Sequence, residues 1–246
     1  MDRLAYLASA GAKQLLQRQS TIAHNLANAN TTGFRADLDA FRALPVQGQG
    51  PGTRVFVADS TPGFDNTPGT LQVTGRNLDV AIEGEGFFVV EARDGGEAYT
   101  RAGSLQVGAD GILRTSAGQP LQGDGGPITI PENARVAIGH DGTVSAIAGN
   151  DNKSVNVLGR IKLVNPPVSS RVKGGDGLLR ATEGESPASD ANVRLVDGTL
   201  EGSNVNPVEA LVSMIAVARL FETQMRLMTS AEQNASAGNK LLAATA

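Results

Sequence analysis

The sequence predicts an α+β fold, mainly β, in which both termini contribute to a discontinuous helical stalk and the middle forms an irregular β-domain of many hairpins. Three observations point there. Residues 2–28 and 207–242 carry apolar residues at alternating steps of three and four, the spacing that keeps one face of a helix apolar. Between them the apolar residues fall in short runs of period two, as in Leu78, Val80 and Ile82, which is strand spacing. Asp-Gly pairs recur at 110–111, 141–142, 176–177 and 197–198, each followed by residues that suit a strand, the signature of a hairpin whose turn tolerates positive φ.

The first helix sets Leu4, Ala8, Gly11, Leu15, Ile22, Leu26 and Ala29 on one stripe that only Arg18 interrupts. This near-heptad spacing suits a seam between helices, and Ala5, Ala12, Ala23 and Ala27 add small residues for close approach. At 1.5 Å per residue the helix spans about 40 Å. The run Asn28-Ala29-Asn30-Thr31-Thr32-Gly33 then favours leaving the helix, so the N-terminal part of the stalk is placed at 1–32. Residues 33–76 read as an extended connector with short strands. Pro45 to Gly52 has hinge composition, and Thr-Pro-Gly at 61–63 and 67–69 predicts two type II turns.

The β-domain is placed at 77–202, with Phe87-Phe88-Val89-Val90 as a buried strand. Gly84-Glu85-Gly86 ahead of it has neither the third glycine nor the following helix of a dinucleotide loop, and reads as a bulge or tight bend. The stalk resumes over 203–246. Asn206-Pro207-Val208-Glu209 opens the last helix, with Asn as cap and Pro at the first helical position. Leu211, Met214, Ala218, Phe221, Met225, Met228, Ala235 and Leu242 form its stripe. Ile215, Val217, Leu220 and Leu227 widen that stripe beyond what one partner helix covers.

Composition narrows the function classes. The formal charge is -4, from 21 basic and 25 acidic residues spread evenly, which argues against nucleic acid or an anionic membrane surface as partner. No run approaches the roughly 18 apolar residues of a membrane span, so no membrane insertion is expected. The absence of Cys excludes disulfides and thiolate metal sites. Met1 to Tyr6 begins no apolar stretch, so no cleaved signal peptide is expected. His24 and His140 fall in different predicted domains and make neither a metal pair nor a catalytic centre. The Asp-Gly turns offer one Asp each, where a calcium loop stacks several oxygen ligands.

No catalytic triad, carboxylate pair or phosphate loop emerges, so no catalytic residue, cofactor or small-molecule substrate is expected. The candidate site is instead the apolar helix faces, read as an assembly interface: Leu4, Leu15, Ile22 and Leu26 at one end, and Leu211, Met214, Ile215, Phe221, Met225 and Met228 at the other. Two wide apolar faces cannot both be buried against each other, so the termini are expected to be poorly ordered in a free monomer and to fold on assembly.

Several runs extend this reading. His24-Asn25-Leu26-Ala27-Asn28 followed by Thr31-Thr32-Gly33-Phe34-Arg35, and Leu200-Glu201-Gly202-Ser203-Asn204-Val205-Asn206, resemble the terminal signatures of the flagellar axial proteins, the rod and hook subunits of the bacterial flagellum. Tyr99-Thr100-Arg101-Ala102-Gly103-Ser104 and Asp110-Gly111-Ile112-Leu113 resemble their β-domain. The match spans most of the chain. Its signature residues are Asn25, Leu26, Ala27, Asn28, Thr31, Gly33, Phe34, Ser203, Asn204 and Val205, while His24 stands where many relatives carry asparagine. The length, Met1-Asp2, Gly33-Phe34-Arg35-Ala36 and the run Ser60 to Gly69 look most like the proximal-rod members, with the distal-rod members similar in size and plan.

The resemblance implies a structural subunit of the basal-body rod and no enzyme activity. It implies self-assembly through coiled-coil-like terminal helices into the drive shaft that transmits motor torque, with the helices forming the inner tube and the β-domain facing outward. It implies proximal and distal rod subunits as partners. The type III export apparatus would pass the unfolded chain, uncleaved, to the rod in the periplasmic space. Two readings from other classes stand beside it. A glycan-binding module on a stalk needs an aromatic platform, and the chain has no Trp and only Tyr6 and Tyr99 as tyrosines. A peptidoglycan hydrolase needs an acid/base pair that the sequence does not group.

Overall fold

The computed structural model describes residues 2–45, 55–132, 134–148, 154–182 and 186–244. They fall into two compact units: unit 1 from the described residues of Met1–Ala29, Ala36–Asp65 and Val205–Ala246, and unit 2 from those of Asn30–Arg35 and Asn66–Asn204. The α+β class, mainly β, is as the sequence predicts.

Unit 1 holds helix α1 (Asp2–Ala27), strands β1 (Asp37–Pro45) and β2 (Val55–Phe64), and helix α2 (Pro207–Ala244). Asn28 closes α1: its backbone N–H reaches His24 O at 3.2 Å and its side-chain amide donates to the same oxygen at 2.9 Å. Asn206 opens α2 through Oδ1, which accepts the N–H of Val208 at 3.1 Å and of Glu209 at 3.3 Å. With Pro207 at the first position, few amides of the first turn are left unsatisfied.

The two helices pack on one another. The covered side of α2 carries Ala210, Met214, Val217, Phe221, Gln224, Met228, Ala231 and Ala235, at alternating steps of four and three. That is the 3.5-residue period of a coiled-coil seam. On α1, Ala8 and Ala12 are buried, with Gly11, Leu15, Ile22 and Leu26 half-buried. Gly11 allows a close approach, since a Cβ there would lie 3.3 Å from the Gln224 side-chain nitrogen.

The connector expected over 33–76 contains a long hairpin. β1 and β2, of 9 and 10 residues, pair antiparallel from Asp37 opposite Phe64 to Pro45 opposite Val55. The type II turn expected at 61–63 does not form. Leu38 faces Gly63 and Ala40 faces Ser60, so Thr61 and Pro62 together oppose Asp39 in a bulge. A bulge suits proline because the extra residue needs no ladder N–H. Most of the hinge expected at 45–52 lies outside the described residues.

Unit 2 is built from short antiparallel strands. A five-stranded sheet runs in the order Leu163–Val164, Phe87–Glu91, Glu97–Thr100, Leu179–Ala181, Arg171–Lys173. A three-stranded sheet joins Arg135–Ile138, Thr143–Ala148 and Ser154–Arg160, and two-stranded ladders include Val80–Glu83 with Arg194–Asp197 and Leu71–Val73 with Thr199–Glu201. The core is aliphatic: Val80, Ile82, Val90, Leu105, Leu113, Leu121, Ile161, Leu163 and Leu195 surround Phe88. Gly84 and Gly86 form the tight bend expected before the Phe87 strand, both with positive φ.

Three of the four Asp-Gly pairs build the same turn. At Gly108, Gly139 and Gly174 the backbone N–H donates to a carbonyl four residues on (Ile112, Thr143 and Leu178), at 2.8–2.9 Å. The carbonyl of each accepts the N–H of the glycine after Asp, at 2.9–3.0 Å. This is a three-residue loop closing on a left-handed glycine, not the two-residue turn the dipeptide suggests. Gly111, Gly142 and Gly177 carry the positive φ (75°, 86° and 79°). The Asp side chain spans the loop, accepting the N–H two residues on at 3.1–3.2 Å. It lies so near the first glycine that a Cβ there would come within 2.5–2.9 Å of a carboxylate oxygen.

Candidate assembly surface and signature clasp

Helix α2 presents a second apolar face. Val208, Leu211, Val212 and Ile215 are exposed, Val208 by 70% and Ile215 by 57%. Their spacing of three, one and three puts them on one side of the helix, turned away from the seam. Leu220, Met225 and Leu227 extend the exposed apolar surface along the helix. Exposed apolar residues that share one side of a helix form a patch rather than scattered singles.

The residues named from the sequence therefore divide. Leu211, Ile215 and Met225 are exposed, whereas Met214, Phe221 and Met228 lie in the seam with α1. Leu15, Ile22 and Leu26 are half-buried on α1, and the side chain of Leu4 lies outside the described residues. Val208 and Val212 belong to the exposed face but were not singled out. Val208 reads as part of the capping turn, and Val212 falls outside the widest apolar stripe.

The N-terminal signature ties α1 to β1. Asn25 uses both ends of its amide on the backbone of Asp37: Nδ2 donates to Asp37 O at 2.9 Å, and Oδ1 accepts Asp37 N–H at 2.8 Å. A carboxamide offers a donor and an acceptor side by side in one plane, as backbone does, so it stands in for a neighbouring strand. His24, expected merely to lose an amide from the helix surface, has Nδ1 at 2.7 Å from Asp37 Oδ2. Thr21 Oγ1 donates to Asp39 Oδ1 at 2.7 Å.

In unit 2 the signature residues Gly33, Phe34 and Asn204 form a clasp. Gly33 N–H donates to Glu201 O at 2.8 Å, and Asn204 N–H donates to Phe34 O at 3.3 Å. Asn204 Nδ2 reaches Thr67 O at 3.1 Å. Gly33 has φ +68°, and a Cβ on it would sit 2.3 Å from the carbonyl carbon of Arg101. Phe34 is buried under Lys173, whose Nζ lies 4.2 Å from the ring centroid and donates to Arg35 O at 2.8 Å.

An ionic triad underlies these crossings. Glu201, 1% exposed, accepts Arg35 Nη2 on Oε1 and Arg101 Nε on Oε2, each at 2.7 Å. Arg35 and Arg101 are only 7% and 3% exposed. Gly69 N–H also donates to Glu201 Oε1, at 2.9 Å. A Cβ on Gly69 would lie 2.0 Å from Gly202 O, so this glycine serves close approach and its φ is not positive. The expected second type II turn is replaced by that contact. Arg101 Nη1 reaches Gly84 O and Gly86 O at 2.8 Å, and Arg35 Nη1 donates to Thr67 O. Buried charges are tolerated only when paired and hydrogen-bonded in this way.

The triad was not legible as a unit. Its members appeared inside three separate motif runs, and Arg101 and Glu201 are 100 residues apart. No periodicity links charges across such a distance. Among the described residues no group of His, Asp or Glu could hold a metal ion, and no helix is long and apolar enough to cross a membrane.

Comparison with known proteins accounts for both ends and the middle. Residues 6–35 match the family model for flagella basal body rod proteins, residues 81–146 the D1 domain of flagellar hook proteins FlgE/F/G, and residues 196–241 the C-terminal region of basal body rod FlgEFG proteins. The chain is 48% identical to the flagellar basal-body rod protein FlgF of Salmonella typhimurium, over 98% of this chain and 99% of the relative. It is 46% identical to that of Escherichia coli, with the same coverage, and 37% identical to that of Caulobacter vibrioides, over 98% of each chain. A chain that carries the signature at both ends and aligns with these relatives throughout belongs to the flagellar basal-body rod protein family.

Proposed function

We propose that this rod protein builds the proximal rod by burying the second apolar face of α2 against neighbouring subunits. The exposed quartet Val208, Leu211, Val212 and Ile215 carries the reading, because the seam with α1 leaves it uncovered. Covering such a face removes apolar surface from water, worth about 25 cal/mol per Å². Leu15, Ile22, Leu26, Met214, Phe221 and Met228 serve the same assembly by holding the helix pair together, and Leu4 continues their stripe. Partners are other rod subunits, proximal and distal.

On this reading the helices of unit 1 supply the wall of the drive shaft. The type III export apparatus delivers the chain uncleaved to the rod in the periplasmic space, and the chain works as structure, transmitting torque without catalysing a reaction. Likeness to FlgF relatives over nearly the whole length supports the proximal position. The test is absolute quantification of this chain by peptide mass spectrometry on purified hook–basal bodies. A handful of copies per particle is expected. Several-fold more would move it to the distal rod, and absence would overturn the reading.

A further inference from the structure

The triad Arg35–Glu201–Arg101 holds two guanidinium groups on one carboxylate, leaving one formal positive charge in excess. Arg101 and Glu201 alone would make a balanced buried pair. Arg101 also anchors the bend at Gly84 and Gly86, so that pair belongs to the β-core of unit 2. Arg35 is the additional member. It comes from the segment that follows α1, which ends at Ala27, whereas Glu201 lies shortly before α2, which begins at Pro207. Both arginines and Glu201 stand in the wall of a cavity of about 400 Å³.

We infer that Arg35 is a positioning residue for assembly: by engaging Glu201 and Thr67 O together, it fixes the spacing between the outgoing and returning crossings of the chain in unit 2. The geometry favours this over a role in core stability. The Arg35 guanidinium meets two acceptors from different segments, one before and one after the β-core, and a planar fork holds such a pair at fixed separation where a single ammonium cannot. Three further bonds read the same spacing: Gly33 N–H to Glu201 O, Gly69 N–H to Glu201 Oε1, and Asn204 N–H to Phe34 O. The role in assembly rests on the rod reading above; the clasp itself does not.

The test uses the full chain with Arg35→Met and Arg35→Lys. Amide exchange is followed at Gly33, Gly69 and Asn204, with Val89 and Val90 as the core reference, and copies per hook–basal body are counted in cells lacking the native chain. Arg35→Met is expected to leave the core amides unchanged, to speed exchange at the three clasp amides about tenfold or more, as loss of a charge-assisted bond implies, and to lower incorporation several-fold. Arg35→Lys keeps the charge but meets one acceptor, and is expected to restore incorporation in part; it also carries the test if Arg35→Met does not fold. Unchanged exchange at the three amides overturns the clasp. Faster exchange with normal incorporation overturns the positioning role. Absence of the unaltered chain from the particles overturns the rod reading, and the role in assembly with it, whatever the exchange shows.

Discussion

Two signature residues make sharp demands on their sites. Gly33 combines φ +68° with a wall of backbone where a Cβ would go. Gly33→Ala must displace the Arg101 peptide and adopt a left-handed conformation, at a cost of about 2 kcal/mol or more. A denaturant titration of unit 2 should show its midpoint falling with an unchanged slope. Asn25→Ala deletes both bonds to the Asp37 backbone and strands an N–H and a carbonyl, costing roughly 1–3 kcal/mol. Exchange at the Asp37 amide should accelerate while α1 itself keeps its helical signal. Both residues were visible beforehand as parts of a motif, but their tasks were not. A glycine's φ and an amide's partner depend on residues remote in sequence, and a single chain read in order does not reveal them.

The helices and turns are where sequence patterns served best and where they stopped. Steps of three and four correctly marked α1 and α2, but α2 is apolar on two sides, so periodicity could not say which side meets α1. The consequences of substitution differ accordingly. Ile215→Asp lies on the exposed face and should leave the monomer's thermal midpoint within a degree or two, yet remove the chain from basal bodies. Phe221→Asp puts a charge into the seam and should weaken the helix pair by about 2–4 kcal/mol, seen as lost helical signal in the free chain while unit 2 stays folded.

The repeated turn carries a pH signature. Arg114 beside Asp110, Thr143 beside Asp141 and Arg180 beside Asp176 each hold a carboxyl below the usual range by hydrogen bonding, helped by the backbone N–H across the loop. A carboxyl depressed in the folded state lends stability that is present above its unfolded value of about 3.9 and is lost as pH falls through the folded value. Denaturant midpoints of the native chain and of Asp110→Asn/Asp141→Asn/Asp176→Asn should therefore differ at pH 6 and draw together as pH falls below the unfolded value. The Asp-Gly dipeptides announced these hairpins; the preceding glycine, needed to make room for the carboxylate, fixed the loop at three residues and passed unnoticed.

At the scale of the whole molecule, both termini return to one unit, and the chain between them forms the other. The stretch beyond α1 looked like a connector because its prolines and glycines read as turns. In the structure Pro62 sits in a bulge of the hairpin and Gly69 against Gly202 O, contacts that only the folded partner segment reveals. The uncovered face of α2 predicts a graded order in the free chain: exchange should be faster over 2–27 and 207–244 than at Phe88, Val89 and Leu195, and should slow in assembled rods. Equal protection of helices and core in the monomer would contradict assembly-linked ordering.

The division into units also sets an order of events. Everything unit 2 needs lies between Asn30 and Asn204, so it can close while the rest of the chain is still arriving from a ribosome or a narrow conduit. Unit 1 cannot. The helix that packs on α1 begins only at Pro207, and closing so long a loop is entropically slow. The helix pair is thus the last part of the chain able to close, and it is held back by connectivity alone.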